Sequence, residues 1–113
     1  MKLGIVGYRN YNNYEEFCEH VKKISGITTI ISGGCRGTDI LAERYAAENN
    51  IPIRIYKPNW DSYGKKAGPI RNSLIVFDSN MIIAFVHPNS VGTLDTIKKA
   101  KKVGLVVIEV SIN

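Results

Sequence analysis

The chain has 113 residues, 44% of them hydrophobic and 22% charged, a balance that fits a folded globular chain and excludes wholesale disorder. That length predicts one domain spanning residues 1–113, with one sizeable core. Fifteen basic and 10 acidic residues give a formal charge of +5, which favours an anionic partner. No apolar run approaches the roughly 18 residues needed to span a bilayer and no membrane partner is expected, and the opening MKLGIVGYRN lacks the charged region and long apolar stretch of a signal peptide, which predicts a cytoplasmic protein.

Five short apolar runs alternate with helical patterns. The first run, KLGIVG (2–7), leads to a helix over residues 13–25, where Tyr14, Phe17, Cys18, Val21 and Ile24 share one face. Asn13 with Glu16 three residues on resembles a capping box, and Cys18 reads as a small core residue. The second run, ITTIIS (27–32), passes through SGGCRG (32–37) into a helix over 38–49 that carries Leu41, Ala42, Tyr45 and Ala46. The third run is IPIRIY (51–56); KPNWDSYGKKAG (57–68) follows as a loop, and its length makes it a candidate lid or wall. In it, Trp60 is expected to pack at the core edge.

Pro69 is well placed to start a helix over 69–79. Ile70, Leu74, Ile75, Val76 and Phe77 make that helix apolar on both sides, which predicts a homodimer or larger homo-oligomer. The fourth run, MIIAFV (81–86), is followed by a helix over 91–103 with Leu94, Ile97 and Ala100 on one face and Ser90 as its expected N-cap. GLVVIEV (104–110) is the fifth run. The lysine runs Lys22–Lys23 and Lys98–Lys102 read as solvated helix faces. Without aromatic or arginine-rich interleaving they do not make a nucleic-acid surface.

Most of the runs are β-branched and nearly continuous, as strands covered on both faces are. The alternation predicts an α/β, three-layer Rossmann-like domain with a parallel five-stranded sheet in the order 3-2-1-4-5. Ligands bind such sheets beyond the carboxyl ends of the strands, where the strand order reverses. Those ends here supply GYRN (7–10), SGGCRG (32–37) and VHPNSVGT (86–93), each glycine-bearing and each leading toward a helix N-terminus. Unpaired N–H groups and a positive dipole end make such a place an anion site.

Gly7, Ser32, Gly33 and Gly34 are therefore expected to form a phosphate cradle, with Arg9 and Arg36 as clamps and Asp39 at the rim. Arg71, in a turn that otherwise enters the core, either faces the ligand or pairs structurally with Asp39 or Asp78. Cys18, Cys35, His20 and His87 fit no metal-ligand spacing, so neither a metal nor a cofactor is expected.

GIVGYRNY, ISGGCRGTDILAERYA, PNWDSYGKKAGPIRNSLIV and VGTLDTIKKAKKVGLVV resemble, in order and spacing, the SLOG superfamily of Rossmann-like nucleotide-binding proteins, and within it the small YspA-like branch. The resemblance implies a site for a nucleotide or nucleotide-derived ligand, lined by the first two glycine loops, Arg71 and Asn72, and Gly92 and Thr93. A catalytic SLOG branch, the "Lonely guy" phosphoribohydrolases, carries Pro-Gly-Gly-x-Gly-Thr-x-x-Glu. Residues Pro88 to Thr96 depart from it: Asn89 and Ser90 replace two glycines, and Thr96 stands at the catalytic Glu position. Arg71 approximately matches that branch's catalytic arginine, and an acid remains one residue early, at Asp95.

The primary expectation is a nucleotide sensor or sequestering protein. The alternatives are N-glycosidic hydrolysis with Arg71 and Asp95 as its catalytic residues, and single-stranded DNA binding of the kind implied by SGGCRGTD and RNSLIVFDSNMIIAF, which are similar to the DNA-processing DprA family.

Overall fold

In a computed structural model describing all residues, Met1–Asn113, the chain runs β1 (Lys2–Gly7), α1 (Tyr14–Val21), β2 (Thr29–Ser32), α2 (Thr38–Glu48) and β3 (Ile53–Ile55). It continues through α3 (Trp60–Tyr63), a 3-10 turn (Gly64–Lys66), α4 (Ala67–Asp78), β4 (Met81–Val86), α5 (Val91–Lys102) and β5 (Val106–Ser111). The five strands form one parallel sheet in the order β3-β2-β1-β4-β5. The expected α/β Rossmann-like fold and strand order are both found.

β1 and β4 are central, and their interior residues are buried on both faces, which is why they read as continuous apolar runs. Alternate side chains feed two cores. Leu3, Ile5, Ile83 and Phe85 meet Phe17 and Val21 of α1 and Leu41, Ala42 and Tyr45 of α2. Val6, Ile82 and Ala84 meet Ile75 and Val76 of α4 and Ile97 and Ala100 of α5. An aromatic stack ties the first core together, with Phe17 and Tyr11 rings 5.0 and 5.3 Å from that of Phe85. Gly4 serves the second: a Cβ there would strike Ile82 and lie 2.6 Å from Ser79 Oγ, so α4 can end directly against the sheet.

Several local expectations are corrected. Residues 57–68 are not an open loop, because their turn-forming residues act as caps. Asn59 Oδ1 accepts from Ser62 N at 3.1 Å to start α3, and Gly64, at φ 56°, ends it. α4 begins at Ala67, so Pro69 is its third residue, where the missing N–H has no intrahelical acceptor to lose. Asn13 caps α1 through Glu16 N (3.1 Å), but the Glu16 carboxylate accepts from Tyr11 instead of closing a capping box. Ser90 occupies the N-cap position of α5, yet its hydroxyl accepts from His87 N at 3.0 Å. Cys18 is half-buried at the edge of the first core.

At the amino edge of the sheet, Asp78 closes α4 onto the strands. Its carboxylate meets Lys2 Nζ at 3.0 Å and Arg54 Nη1 at 3.2 Å, and accepts from the Tyr56 hydroxyl at 2.9 Å. Burial pushes the Asp78 carboxyl up, but the Lys2 and Tyr56 hydrogen bonds and the two positive charges outweigh it and hold it below the usual carboxylate range. A carboxyl depressed in the folded state stabilises above its unfolded value, near 3.9. That contribution is lost as pH falls through the folded value. Asp78→Asn should therefore cost about 1 kcal/mol at neutral pH, and denaturant titrations should show the gap to wild type closing below about pH 4. A gap that persists unchanged at pH 3 contradicts this account.

Candidate functional site

The strand order reverses between β1 and β4, and a cavity of about 930 Å³ opens at that point on the carboxyl edge. Three walls enclose it. One is the end of β1 with Gly7, Tyr8 and Arg9; the second is the loop into α2 with Gly34, Cys35, Arg36 and Asp39. The third is built from α4 (Gly68, Pro69, Arg71, Asn72, Ile75) and the start of α5 (Val91, Gly92, Thr93, Asp95, Thr96), with Trp60 of α3 at the side. Of the expected site residues, Gly7, Arg9, Gly34, Arg36, Asp39, Arg71, Asn72, Gly92, Thr93 and Asp95 come together here. Ser32 and Gly33 lie behind the wall, both buried, and Ser32 Oγ has no hydrogen-bond partner.

The glycines carry a different duty from the one expected. A Cβ on Gly33 would collide with the Arg71 guanidinium, whose Nη1 donates to Gly33 O at 2.8 Å. Gly34 sits at φ 68°, and a Cβ there would lie 2.6 Å from Ile55 Cγ2 and 3.0 Å from Lys57 Cγ. Gly37, at φ 70°, is pressed against the Arg9 backbone. The places that side chains on Gly33 and Gly34 would take are filled by protein, so the pair lacks Cβ atoms in order to shape the wall.

What the loop does offer is N–H groups. Tyr8 O takes the Thr38 amide, and the Asp39 carboxylate takes that of Cys35 at 3.0 Å. The amides of Gly34, Arg36 and Asp39, all on the cavity wall, make no hydrogen bond within the protein. Across the cavity the same holds for Gly92 and Thr93 in the first turn of α5, which has no side-chain cap. Two helix N-termini thus converge on one space, each with donors to spare.

The charged groups are arranged unequally. Arg9 and Arg36 are exposed, and their side chains make no hydrogen bond or ion pair with the protein. Arg71 is half-buried and pairs with neither Asp39 nor Asp78 through a salt bridge. It donates to Gly33 O, to Cys35 Sγ at 3.4 Å and, through Nε, to Asn72 Oδ1 at 3.0 Å. Asn72 passes the chain on to Asp95 Oδ2 at 3.0 Å, where Lys99 Nζ also binds at 2.8 Å.

The two carboxylates are pushed in opposite directions. Burial raises the pKa of Asp39 against the opposing pull of the Cys35 amide, the Arg71 charge and the nearby Ser32 hydroxyl, which does not reach hydrogen-bond geometry. Burial also acts upward on Asp95, but the Lys99 and Asn72 bonds and the Lys99 and Lys98 charges bring it below its ordinary value.

Sequence reasoning missed Lys99 as a site residue. Reading the lysine run as one solvated face hid it, although Asp95 four residues earlier was the available signal. Trp60, expected at the core edge, is 57% exposed and lines the cavity. No group of His, Cys, Asp and Glu has the arrangement of a metal site, and no helix is long and apolar enough to cross a membrane.

Gly34→Val should lower the melting temperature by several degrees, because it combines a left-handed backbone with a collision against Ile55. An unchanged melting temperature would contradict this account of the wall.

Three comparisons place the chain among known proteins. It is 33% identical over 85 residues to the Gene 61 protein of Mycobacterium phage D29, covering 70% of this chain and 68% of that protein. The structure of DNA processing protein A (DprA) from Streptococcus pneumoniae superposes with a TM-score of 0.76 at 20% identity, a likeness of fold. The match covers 96% of this chain but about half (49%) of the DprA chain. The model of the YspA, cpYpsA-related SLOG family matches residues 4–63, from β1 through α3, and so takes in the Gly7–Arg9 and Gly33–Asp39 walls. On that match and the identity to the phage protein, the chain belongs to the YspA, cpYpsA-related SLOG family.

Proposed function

We propose that the crevice binds a nucleotide or nucleotide-derived small ligand, as a sensor or sequestering protein would. The observation that carries this reading is the meeting of unpaired amides from two helix N-termini with Arg9, Arg36 and Arg71 around one cavity of about 930 Å³. That volume is of the size that holds a small organic ligand. Positive charge is concentrated at the α2 end, so the phosphate belongs there, against the Gly34, Arg36 and Asp39 amides. Gly92 has open space around it, and Asp95 beside it is ionised and already positioned by Asn72 and Lys99, so the sugar hydroxyls belong at the α5 end.

A second reading, N-glycosidic cleavage, is favoured by one feature. Asp95 lines the cavity although it stands one position before the acid of the phosphoribohydrolase motif, and a carboxylate there could stabilise a developing oxocarbenium centre. Thr96, at the motif's acid position, is buried and its hydroxyl is directed to Gly92 O. Arg71 holds the wall that such a reaction would use.

The same α4 helix leaves Leu74 44% and Phe77 77% exposed, where both sides were expected to be covered. We propose that a second copy covers this stripe. Light scattering at tens of micromolar should then give a dimer mass or larger, and a monomer removes the claim.

Binding is tested with variants that leave the fold alone. Arg9→Ala with Arg36→Ala removes two exposed charges that make no hydrogen bond or ion pair with the protein, so the melting temperature should hold. Affinity for AMP by calorimetry should fall at least about 10-fold, near 1.4 kcal/mol. Unchanged affinity would overturn the placement of the phosphate. Incubation with AMP separates binder from hydrolase: release of ribose 5-phosphate by the wild type, lost in Asp95→Asn with AMP binding retained, establishes the second reading. The absence of release by wild type that binds AMP establishes the first. A steep fall of single-stranded DNA affinity with salt, beyond that for AMP, would mark a polyanion as the ligand.

A further inference from the structure

The cavity has one aromatic surface that nothing in the protein uses. Tyr8 lines the wall, but its ring is already stacked on His87, with centroids 4.1 Å apart and planes 7° from parallel. Trp60 also lines the wall and is 57% exposed. It takes part in none of the aromatic pairs, and the single cation–π contact belongs to Arg44 and Tyr14.

Its backbone is held firmly. Asn59 caps α3 from the front and Gly64 closes it behind, so the indole projects from a fixed base. Gly68 keeps the neighbouring first turn of α4 low: a Cβ there would come to 3.6 Å from Trp60 Cη2, at the edge of contact. The indole therefore rests near α4 while its body stays open to the cavity. Water-exposed indole surface is a large apolar area left uncovered, and a flat π-system is the partner that covers it with the fewest polar losses.

Resting on the nucleotide reading above, we propose that Trp60 is the stacking platform for the aromatic base of the bound nucleotide. The phosphate lies at the far wall with Arg9 and Arg36, the sugar crosses toward Asp95, and the base lies against the indole. Recognition through a π-face tolerates different bases and excludes ligands that have none. Trp60 thus separates nucleotides from sugar phosphates, which the arginines and amides alone would hold equally well.

Trp60 is the only tryptophan in the chain, so its emission reports on this position without interference. Titration of the intact protein with AMP should change Trp60 fluorescence along the binding curve, whereas ribose 5-phosphate should bind with little change. Trp60→Ala should weaken AMP about 10-fold, near 1.4 kcal/mol, and leave ribose 5-phosphate affinity within about two-fold, as expected when stacking alone is lost. Trp60→Phe should keep most of the AMP affinity, which a purely structural role for the indole would not predict.

If wild type binds AMP and ribose 5-phosphate equally, or Trp60→Ala binds AMP as wild type does, the platform is overturned and the nucleotide site stands. If wild type binds neither probe, the nucleotide reading fails and this inference fails with it. Emission that follows protein concentration and ignores AMP would assign the indole to a protein interface and also overturn the proposal.

Discussion

One hydrogen-bonded chain holds the crevice in shape. It starts at Gly33 O behind the α2 wall, passes through Arg71 Nη1 and Nε to Asn72, from Asn72 Nδ2 to Asp95, and through Lys99 Nζ to Pro69 O at 2.7 Å. The β2–α2 loop, α4 and α5 belong to different crossovers, and nothing in a parallel sheet dictates how far apart their ends stand. This chain sets that spacing. It also explains why Gly33 must lack a side chain, since the guanidinium occupies the place of its Cβ. An arginine suits the position because its planar fork can donate along several directions from one half-buried site while staying charged.

That arrangement divides the cavity electrically. The guanidinium groups of Arg36 and Arg71, the nearby Arg9 and the amides of Gly34, Arg36 and Asp39 gather around the α2 loop, whereas Asp95 at the start of α5 is matched by Lys99. Asp39 stands on the positive side, buried, with its pKa pushed up by that burial. A carboxyl with that tendency offers less repulsion to a neighbouring anion than an exposed one, and an anion beside it favours its neutral form further. Asp95, held ionised, keeps an acceptor for hydroxyl groups. Two acids on one cavity are thus driven apart, Asp39 toward its neutral form and Asp95 toward its charged form, and the orientation proposed above for the nucleotide rests on that difference.

Much of the fold was legible because burial on both faces leaves an unmistakable pattern. Ile30, Ile31, Ile82, Ile83 and Phe85 are fully buried and stand in unbroken apolar runs. Residues 57–68 were misread because Asn59, Gly64 and Pro69 signal a loop and a helix terminus equally well. Only the capping bond at Ser62 N tells the two apart. The site was legible as a set of residues and less so as a set of reasons. Glycines at 33 and 34 announced that a Cβ was forbidden, but the obstacles are Arg71, 38 residues away in the chain, and Ile55 at the end of β3. Such contacts depend on how crossovers close over the sheet, which local sequence does not encode. Trp60 was expected at the core edge, a fair default for a tryptophan that fails where a short capped helix leaves the ring open to the cavity.

The family match and the cavity divide at nearly the same place. Residues 4–63 supply Gly7, Arg9, Gly34, Arg36, Asp39 and Trp60, while Arg71, Asn72, Gly92, Thr93 and Asp95 lie beyond the match. The matched half thus carries the free cations Arg9 and Arg36, the unpaired amides of the α2 loop and the open indole. The other half brings Arg71 and the amides of Gly92 and Thr93, but its carboxylate Asp95 and amide Asn72 are bonded to one another. Arg71 joins the halves at the cavity, through a carbonyl of the matched part, as Asp78 joins them at the opposite edge of the sheet through Arg54 and Tyr56. Asp95 ties α4 to α5, whereas Arg71 ties α4 to the α2 loop, so changes at the two positions disturb different walls of the crevice.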